Sequence, residues 1–374
     1  MLSKPLSLFL VYILIIVNFL LLALPFLAAI FPFMHIVGNQ IVFAGFAAFN
    51  PKIAVYLLIF LVSFFMLFYL FLDFLFGFSV SAALKGCKRY DKLKGYEFLH
   101  DTFEQVRSKF SPHNVNLYIK NSDEINAFAV SSIRQRAVVL TSGLIDHYIN
   151  STENQQQFLV AIRSILGHEM SHLINKDFLP GLLIMINQRA TNFVANILLF
   201  AFNLVSKLTR RSQVGMGITT GIIFTIYNIS SWVLNCFNRL VINNIYEFLK
   251  NFFGRAAEYR CDRQSAKAFG GINMAFALSF LGKSGYLTLF STHPATERRM
   301  RKVEVVEEKN AVIMASFWSQ ISNFAGMMIL PVICLYTAHL SKADVMIKFY
   351  FYQHYPDIYF KVLQIISIFK QINF

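Results

Sequence analysis

Residues 152–173 read TENQQQFLVAIRSILGHEMSHL, and this stretch decides the fold. Phe158, Leu159, Ile162, Ile165, Leu166, Met170 and Leu173 recur at helical spacing. Thr152 offers an N-cap, and Pro180 forbids continuation, so the pattern predicts one amphipathic helix. Within it lies His168-Glu169-Met170-Ser171-His172. Residues four apart project from one helical face, so both imidazoles reach a single tetrahedral Zn²⁺. Glu169, one step round, addresses a metal-bound water as general base. With 9 His and 11 Glu in 374 residues, chance supplies such a string only about 0.006 times. The plainer alternative is two surface histidines on a helix.

Upstream of this helix the composition is that of a folded soluble domain. Asn114–Lys120 (NVNLYIK), Asn126–Val130 (NAFAV) and Arg136–Leu140 (RAVVL) are short β-branched and aromatic runs separated by polar turns. They predict a small antiparallel sheet. Downstream, two apolar runs near 190–206 and 212–238 precede a second polar helix over about 244–268, closed by Gly270-Gly271. Zinc needs a third protein ligand, with the fourth place left to water. Glu258 on this second helix is the best candidate, and Asp262, one turn further along the same face, is placed to orient a ligating imidazole. The competing reading of this segment is a solvated helical face laced with Arg255 and Arg260.

The rest of the chain points to a membrane. Of the 374 residues 56% are hydrophobic, 41 of them Phe, and only 14% are charged, against about 25% in soluble domains. Pro5–Met34, Ile53–Leu72 and Ser212–Asn238 are free of charge, and each reaches the roughly 20 residues that a spanning helix needs. Disorder, collagen and a small disulfide scaffold are excluded by the apolar content, the lack of a glycine period and the four scattered cysteines. The formal charge of +14 is read as a topology signal rather than as nucleic-acid binding, since no aromatic-interleaved basic motif is present. Lys85, Lys88, Arg89, Lys92 and Lys94 follow the second apolar segment and hold that end on the cytoplasmic side. Asp73, near the end of that segment, reads as an interfacial residue rather than a proton relay.

Taken in order, these pieces resemble the HtpX-like zinc metallopeptidases, a family related to the CAAX prenyl proteases. A membrane hairpin precedes the sheet, and Asn126-Ala127-Phe128-Ala129 and Ala137–Leu144 (AVVLTSGL) are similar to family strands. HEMSH with Asp177 after it, Arg255, Glu258 and Asp262 as RxxExxxD, and Ser291-Thr-His-Pro294 followed by Glu297-Arg298 complete the likeness. The resemblance implies an α+β, zincin-like (gluzincin) catalytic domain, mainly helical overall and embedded among transmembrane helices. It implies one Zn²⁺ per chain on His168, His172 and Glu258, Glu169 as general base, and His293 near the zinc steadying an oxyanion. Asp262, Arg298 and Arg255 would support the ligands from behind. Cys261 departs from the alanine usual in the family, and the chain runs on about 70 residues past the usual end.

The expected organisation is a transmembrane hairpin (1–84), a first catalytic part with sheet and HExxH helix (85–180), a hydrophobic insertion of two membrane helices (181–243), a second catalytic part with the third ligand (244–310) and a hydrophobic extension (311–374). The expected reaction is peptide hydrolysis, with Asn126–Ala129 as an edge strand that holds an extended substrate by its main chain. The resemblance further implies a multi-pass protein of a bacterial inner membrane with its catalytic domain in the cytoplasm. Its partners would be the bilayer and misfolded membrane proteins. A prenyl-protein protease and a catalytically silent scaffold are the rivals.

Overall fold

The computed structural model describes residues 34–37, 40–43, 46–49, 51–111, 114–132, 135–179, 243–281 and 294–372, with the isolated positions 13, 182, 225, 228, 229, 232 and 236. His293, residues 1–33 apart from Ile13 and nearly all of the insertion 181–243 thus lie outside the described residues.

Between the two apolar segments of the expected hairpin, where the sequence predicts a short loop from His35 to Lys52, β1 (Met34–Val37), β2 (Gln40–Phe43) and β3 (Phe46–Phe49) pair antiparallel in that order. Four-residue runs such as Gln-Ile-Val-Phe carry enough β-branched and aromatic character for short strands. Helix α1 (Pro51–Phe76) follows, with Pro at the first position where a missing N–H costs nothing. It stops at Gly77, whose φ of 63° suits glycine, and the chain restarts as α2 (Phe78–Ala83). Asp73 explains the restart: its buried carboxylate accepts the Ser79 N–H at 2.7 Å and the Ser79 hydroxyl at 2.8 Å. The isolated carboxylate of this apolar segment is therefore a helix cap.

Strand β4 (Cys87–Arg89), helix α3 (Leu99–Phe110), strands β5 (Val115–Lys120), β6 (Ala127–Ser131) and β7 (Arg136–Thr141), and helices α4 (Ser142–Ser151) and α5 (Gln155–Asn175) form the next stretch. The sheet order is β4-β5-β7-β6, and β5 runs parallel to β7 while the other pairs are antiparallel. The sheet is mixed, not antiparallel as the sequence predicts. The cause is the connection at Asn121–Asn126, which is tied to the start of α4: the Ser122 N–H donates to Ser142 Oγ, and the Gly143 N–H to the Ser122 carbonyl. The chain is thereby carried past the next position, β6 forms the edge, and β7 fills the gap. Burial follows this order, alternating along β5 at Val115, Leu117 and Ile119 but continuous along central β7.

Helix α5 starts two residues later than Thr152 suggests. Asn154 is the cap, its side chain accepting the Gln157 N–H at 2.9 Å, whereas Thr152 closes α4. The helix also ends before Pro180, at Lys176 with φ 52°, where the Lys176 and Asp177 N–H groups bond back to Leu173 and His172 carbonyls. Helices α6 (Asn243–Phe269), α7 (Gly271–Ser279), α8 (Thr296–Val303), α9 (Phe317–Leu340), α10 (Ala343–His354) and α11 (Pro356–Ile372) complete the described chain.

Two compact units result. One gathers the residues of 68–188 and 237–327 around a core of Phe103, Leu117, Val138, Tyr148, Ile162 and Met170, drawn from α3, β5, β7, α4 and α5. The other contains β1–β3, the first part of α1 and residues 328–374, with Phe60, Cys334, Ala338 and Ala343 packed together. Ile59–Phe76 and Phe317–Leu340 are long and apolar enough to cross a membrane, with mean hydropathies of 2.4 and 1.6.

Candidate metal centre

The centre is assembled by α5 and α6 lying against each other. Their close approach occurs at Gly167, where a Cβ would stand 2.7 Å from Ser265 Oγ and 2.8 Å from Phe269 Cε2. Only glycine lets α6 come this near, one residue before His168. Above the contact, Ser265 Oγ donates to the Ser164 carbonyl at 2.6 Å.

At this packing distance three ligand atoms converge. His168 Nε2 and His172 Nε2 are 3.1 Å apart, Glu258 Oε2 is 3.4 Å from the first, and Oε1 is 3.3 Å from the second. A tetrahedral zinc with bonds of about 2.0–2.1 Å separates its ligands by about 3.3 Å, the edge of the tetrahedron. The observed spacings match that edge. The nitrogen chemistry agrees: each Nδ1 faces a carboxylate, Asp262 Oδ1 at 2.8 Å from His168 and Asp177 Oδ2 at 3.0 Å from His172. With the His172 Nδ1 proton on Asp177 and the His168 Nδ1 proton drawn toward the charge of Asp262, two Nε2 lone pairs face each other, which is stable only with a cation or proton between them.

The surroundings are buried and charged. His168, Glu169, Glu258 and Asp262 are all buried. Burial opposes charge on His168, but Glu258 and Asp262 outweigh it and push its pKa up to about 9. Burial likewise opposes charge on His172, and Cys261, Asp177 and Glu258 raise its pKa well above the ordinary value. Burial works against the Asp262 charge too, yet Arg299 and His168 hold its pKa below the usual carboxylate range. Cys261 Sγ lies 3.4 Å from His172 Nδ1 and 3.6 Å from Asp177 Oδ2, with burial pushing its thiol up to about 11. His172, Asp177 and Cys261 thus also cluster. Because Arg260 grips Asp177 and the thiol keeps its proton, this second cluster backs His172 rather than holding an ion of its own.

Of the residues that the sequence nominates, His168, Glu169, His172, Glu258 and Asp262 are brought together. Arg255 is half-buried on α6, one turn before Glu258. His293 lies outside the described residues. Arg298 is exposed, and its neighbour Arg299 takes the supporting place. Arg299 Nε and Nη2 donate to Asp262 at 2.8 and 2.7 Å, and Nη2 lies 3.3 Å from Glu258. One signal distinguishes them: Arg299 stands four residues before the apolar Val303, so both share the buried face of α8, while Arg298 falls outside it. Asp177 and Arg260 were not nominated as supports. Asp177 reaches His172 only because the left-handed turn at Lys176 folds the chain back, which helical periodicity does not display.

Asn126 precedes β6, and its backbone pairs with Thr141. Ala127, Phe128 and Ala129 lie on β6, which pairs with β7 on one side and is the edge of the sheet among the described residues. This strand packs beside α5.

The family model described as "Peptidase family M48" matches residues 97–307, more than half of the chain. A protein named "Protease HtpX" from Tolumonas auensis is 26% identical over 202 residues, covering 49% of this chain and 63% of that protein. The "Protease HtpX homolog" of Neisseria meningitidis is 25% identical over 224 residues, covering 55% of this chain and 72% of that protein. This chain therefore spans less than two thirds of the Tolumonas protein's length. Among solved structures, S. mikatae Ste24p aligns with a TM-score of 0.39 and 16% identity over 68% of this chain and 61% of that one.

Proposed function

The chain belongs to peptidase family M48, and we propose that it is a membrane-bound zinc endopeptidase that cuts misfolded or damaged membrane proteins. The observation that carries the reading is the convergence of His168 Nε2, His172 Nε2 and the Glu258 carboxylate, whose two oxygens lie 3.4 and 3.3 Å from the two nitrogens, near the edge of a zinc tetrahedron. One ion per chain would be held by these three. When bound there, zinc supplies Lewis acidity to a scissile carbonyl and lowers the pKa of water.

The remaining steps belong to the chain's own residues. Glu169 takes a proton from the attacking water at its carboxylate and returns it to the leaving amine. Asp262 and Asp177 fix the tautomers of His168 and His172 by holding their Nδ1 protons. Arg299 neutralises the carboxylates clustered behind the site. His293 is our candidate for steadying the oxyanion. Among the described residues no strand pairs with the outer edge of β6, which suits it to receive an extended substrate, a recognition mode with little sequence preference that fits quality control.

Location in a membrane is supported by the two apolar helices and by their outward rings, with Phe64, Phe68, Phe71 and Phe324 all exposed. The basic run from Lys85 to Lys94 supports a multi-pass arrangement with the catalytic domain on the cytoplasmic face of a bacterial inner membrane.

The test uses detergent-purified full-length protein. Wild type is expected to hold about one zinc and to cut casein. Glu169→Gln keeps the metal and loses cleavage, and Glu258→Ala loses both. Cleavage that survives in Glu169→Gln, or a wild type without metal when purified free of chelators, overturns the proposal.

A further inference from the structure

Asn175 is the last residue of α5, three positions after His172, and it is completely buried. A carboxamide is costly in such a place unless every polar atom is satisfied. Here its Nδ2 donates to the Ser171 carbonyl at 2.7 Å and to Gln264 Oε1 on α6 at 2.7 Å. Its Oδ1 accepts the Ser316 N–H at 3.0 Å. Its own carbonyl, at the end of the helix, accepts from Ser319 Oγ at 2.9 Å and Asn323 Nδ2 at 3.1 Å. Gln264 in turn donates to the Met314 carbonyl at 3.0 Å, and Ile313 is buried in the core with its N–H on the Lys109 carbonyl at 2.8 Å.

Three parts of the chain therefore meet at one side chain: the helix of His168 and His172, the helix of Glu258 and Asp262, and the segment 313–323. That segment lies beyond the residues 97–307 that the family model matches. The metal site depends on the spacing of the first two, because an ångström of slip between α5 and α6 would take Glu258 off the tetrahedron edge. The two histidines are bracketed by polar ties between the helices, Ser164 with Ser265 on one side and Asn175 with Gln264 on the other.

We infer that Asn175 is a positioning residue of the metal site and that segment 313–323 is a working part of the catalytic unit, a strap that locks the last turn of α5. The carboxamide fits this role because it both donates and accepts; a carboxylate or an aliphatic chain of the same size does only one or neither. The strap's residues 317–323, with Ser319 and Asn323, are already the start of α9, one of the two helices apolar enough to span a membrane. The site's geometry is thereby joined, through the same backbone, to that helix.

This inference rests on the zinc-site reading above. The experiment uses the full-length protein in detergent, with zinc affinity read by competition against a chromophoric chelator and ligand geometry read from the visible spectrum of the Co²⁺-substituted form. Asn175→Leu removes all three side-chain bonds. Ser319→Ala combined with Asn323→Ala removes the strap's two side-chain donors to the Asn175 carbonyl and changes no residue of α5 or α6. We expect zinc to be bound about tenfold more weakly in the first and about fivefold more weakly in the second, with altered Co²⁺ bands in both. Adding Gln264→Leu to Asn175→Leu should cost less than it does alone, since the tie between the two side chains is already cut and only the Gln264 bond to the Met314 carbonyl remains to lose. If Asn175→Leu fails to fold, the Ser319/Asn323 double variant decides by the same two readouts. Variants that melt earlier yet keep wild-type zinc affinity and an unchanged Co²⁺ spectrum would show a merely structural role and overturn the inference alone. A wild type without zinc would overturn the reading beneath it, and the inference with it.

Discussion

Arg298 and Arg299 are adjacent and chemically identical, so replacing each in turn by Met isolates what position contributes. The Arg298 side chain is exposed, and its loss should stay within about 0.5 kcal/mol. Arg299 is 6% exposed, makes two hydrogen bonds to Asp262 at 2.7–2.8 Å and faces Glu258 at 3.3 Å. Its loss leaves two buried carboxylates without their cation. Breaking a buried pair in this way costs about 3–5 kcal/mol, and protonation of the stranded carboxylates recovers part of that. For a unit of this size the cost corresponds to a drop in Tm of roughly 10 °C. The assay is thermal unfolding of both variants in detergent, followed by casein cleavage at a temperature where both are folded. Arg299→Met should melt far lower and lose activity, because Asp262 no longer holds the His168 tautomer, while Arg298→Met should match wild type on both counts. Equal effects from the two substitutions would refute the geometry of α8 against α6.

The other expectations concern the same centre. Gly167→Ala should cost about 1–3 kcal/mol and reduce bound zinc, because the new methyl meets Ser265 and Phe269 and pushes α6 away; thermal unfolding and metal analysis check it. Asp177→Asn should weaken zinc binding about 10- to 100-fold by removing the carboxylate that orients His172, as read by chelator competition. In the metal-free protein the His168 pKa is raised from 6.5 to about 9, so the stability its charge contributes is full below about pH 6.5 and lost as pH rises through about 9. Zinc displaces that proton: titration calorimetry at pH 8 in buffers of different ionisation enthalpy should show proton release, and apparent affinity should climb with pH up to about 9.

Much of the site was legible because its chemistry is periodic. His168 and His172 four apart, and Glu258 and Asp262 four apart, declare one face on each of two helices, and the structure brings those faces together. The glycine pair at 270 and 271 likewise marked the end of α6. What stayed hidden depends on contacts distant in sequence or on one backbone angle. The parallel pairing of β5 and β7 follows from where the Asn121–Asn126 connection is anchored, a tertiary fact absent from the strands' own residues. Asp177 reaches His172 through the φ of Lys176, and nothing in the side chain of a lysine announces a left-handed turn. Arg299 and Arg298 carry equal charge, and only the burial of Val303 separates them. Thr152 and Asn154 are both good caps two residues apart, and the choice went to the one not already closing the preceding helix.

The most direct test of the account is X-ray absorption at the zinc edge on the purified full-length protein. The account predicts two imidazole nitrogens and light oxygen donors at about 2.0–2.1 Å in the wild type, with the bound-zinc signal lost in Glu258→Ala. A sulfur shell at about 2.3 Å, which would place Cys261 on the metal, or a spectrum unchanged by Glu258→Ala, would contradict it.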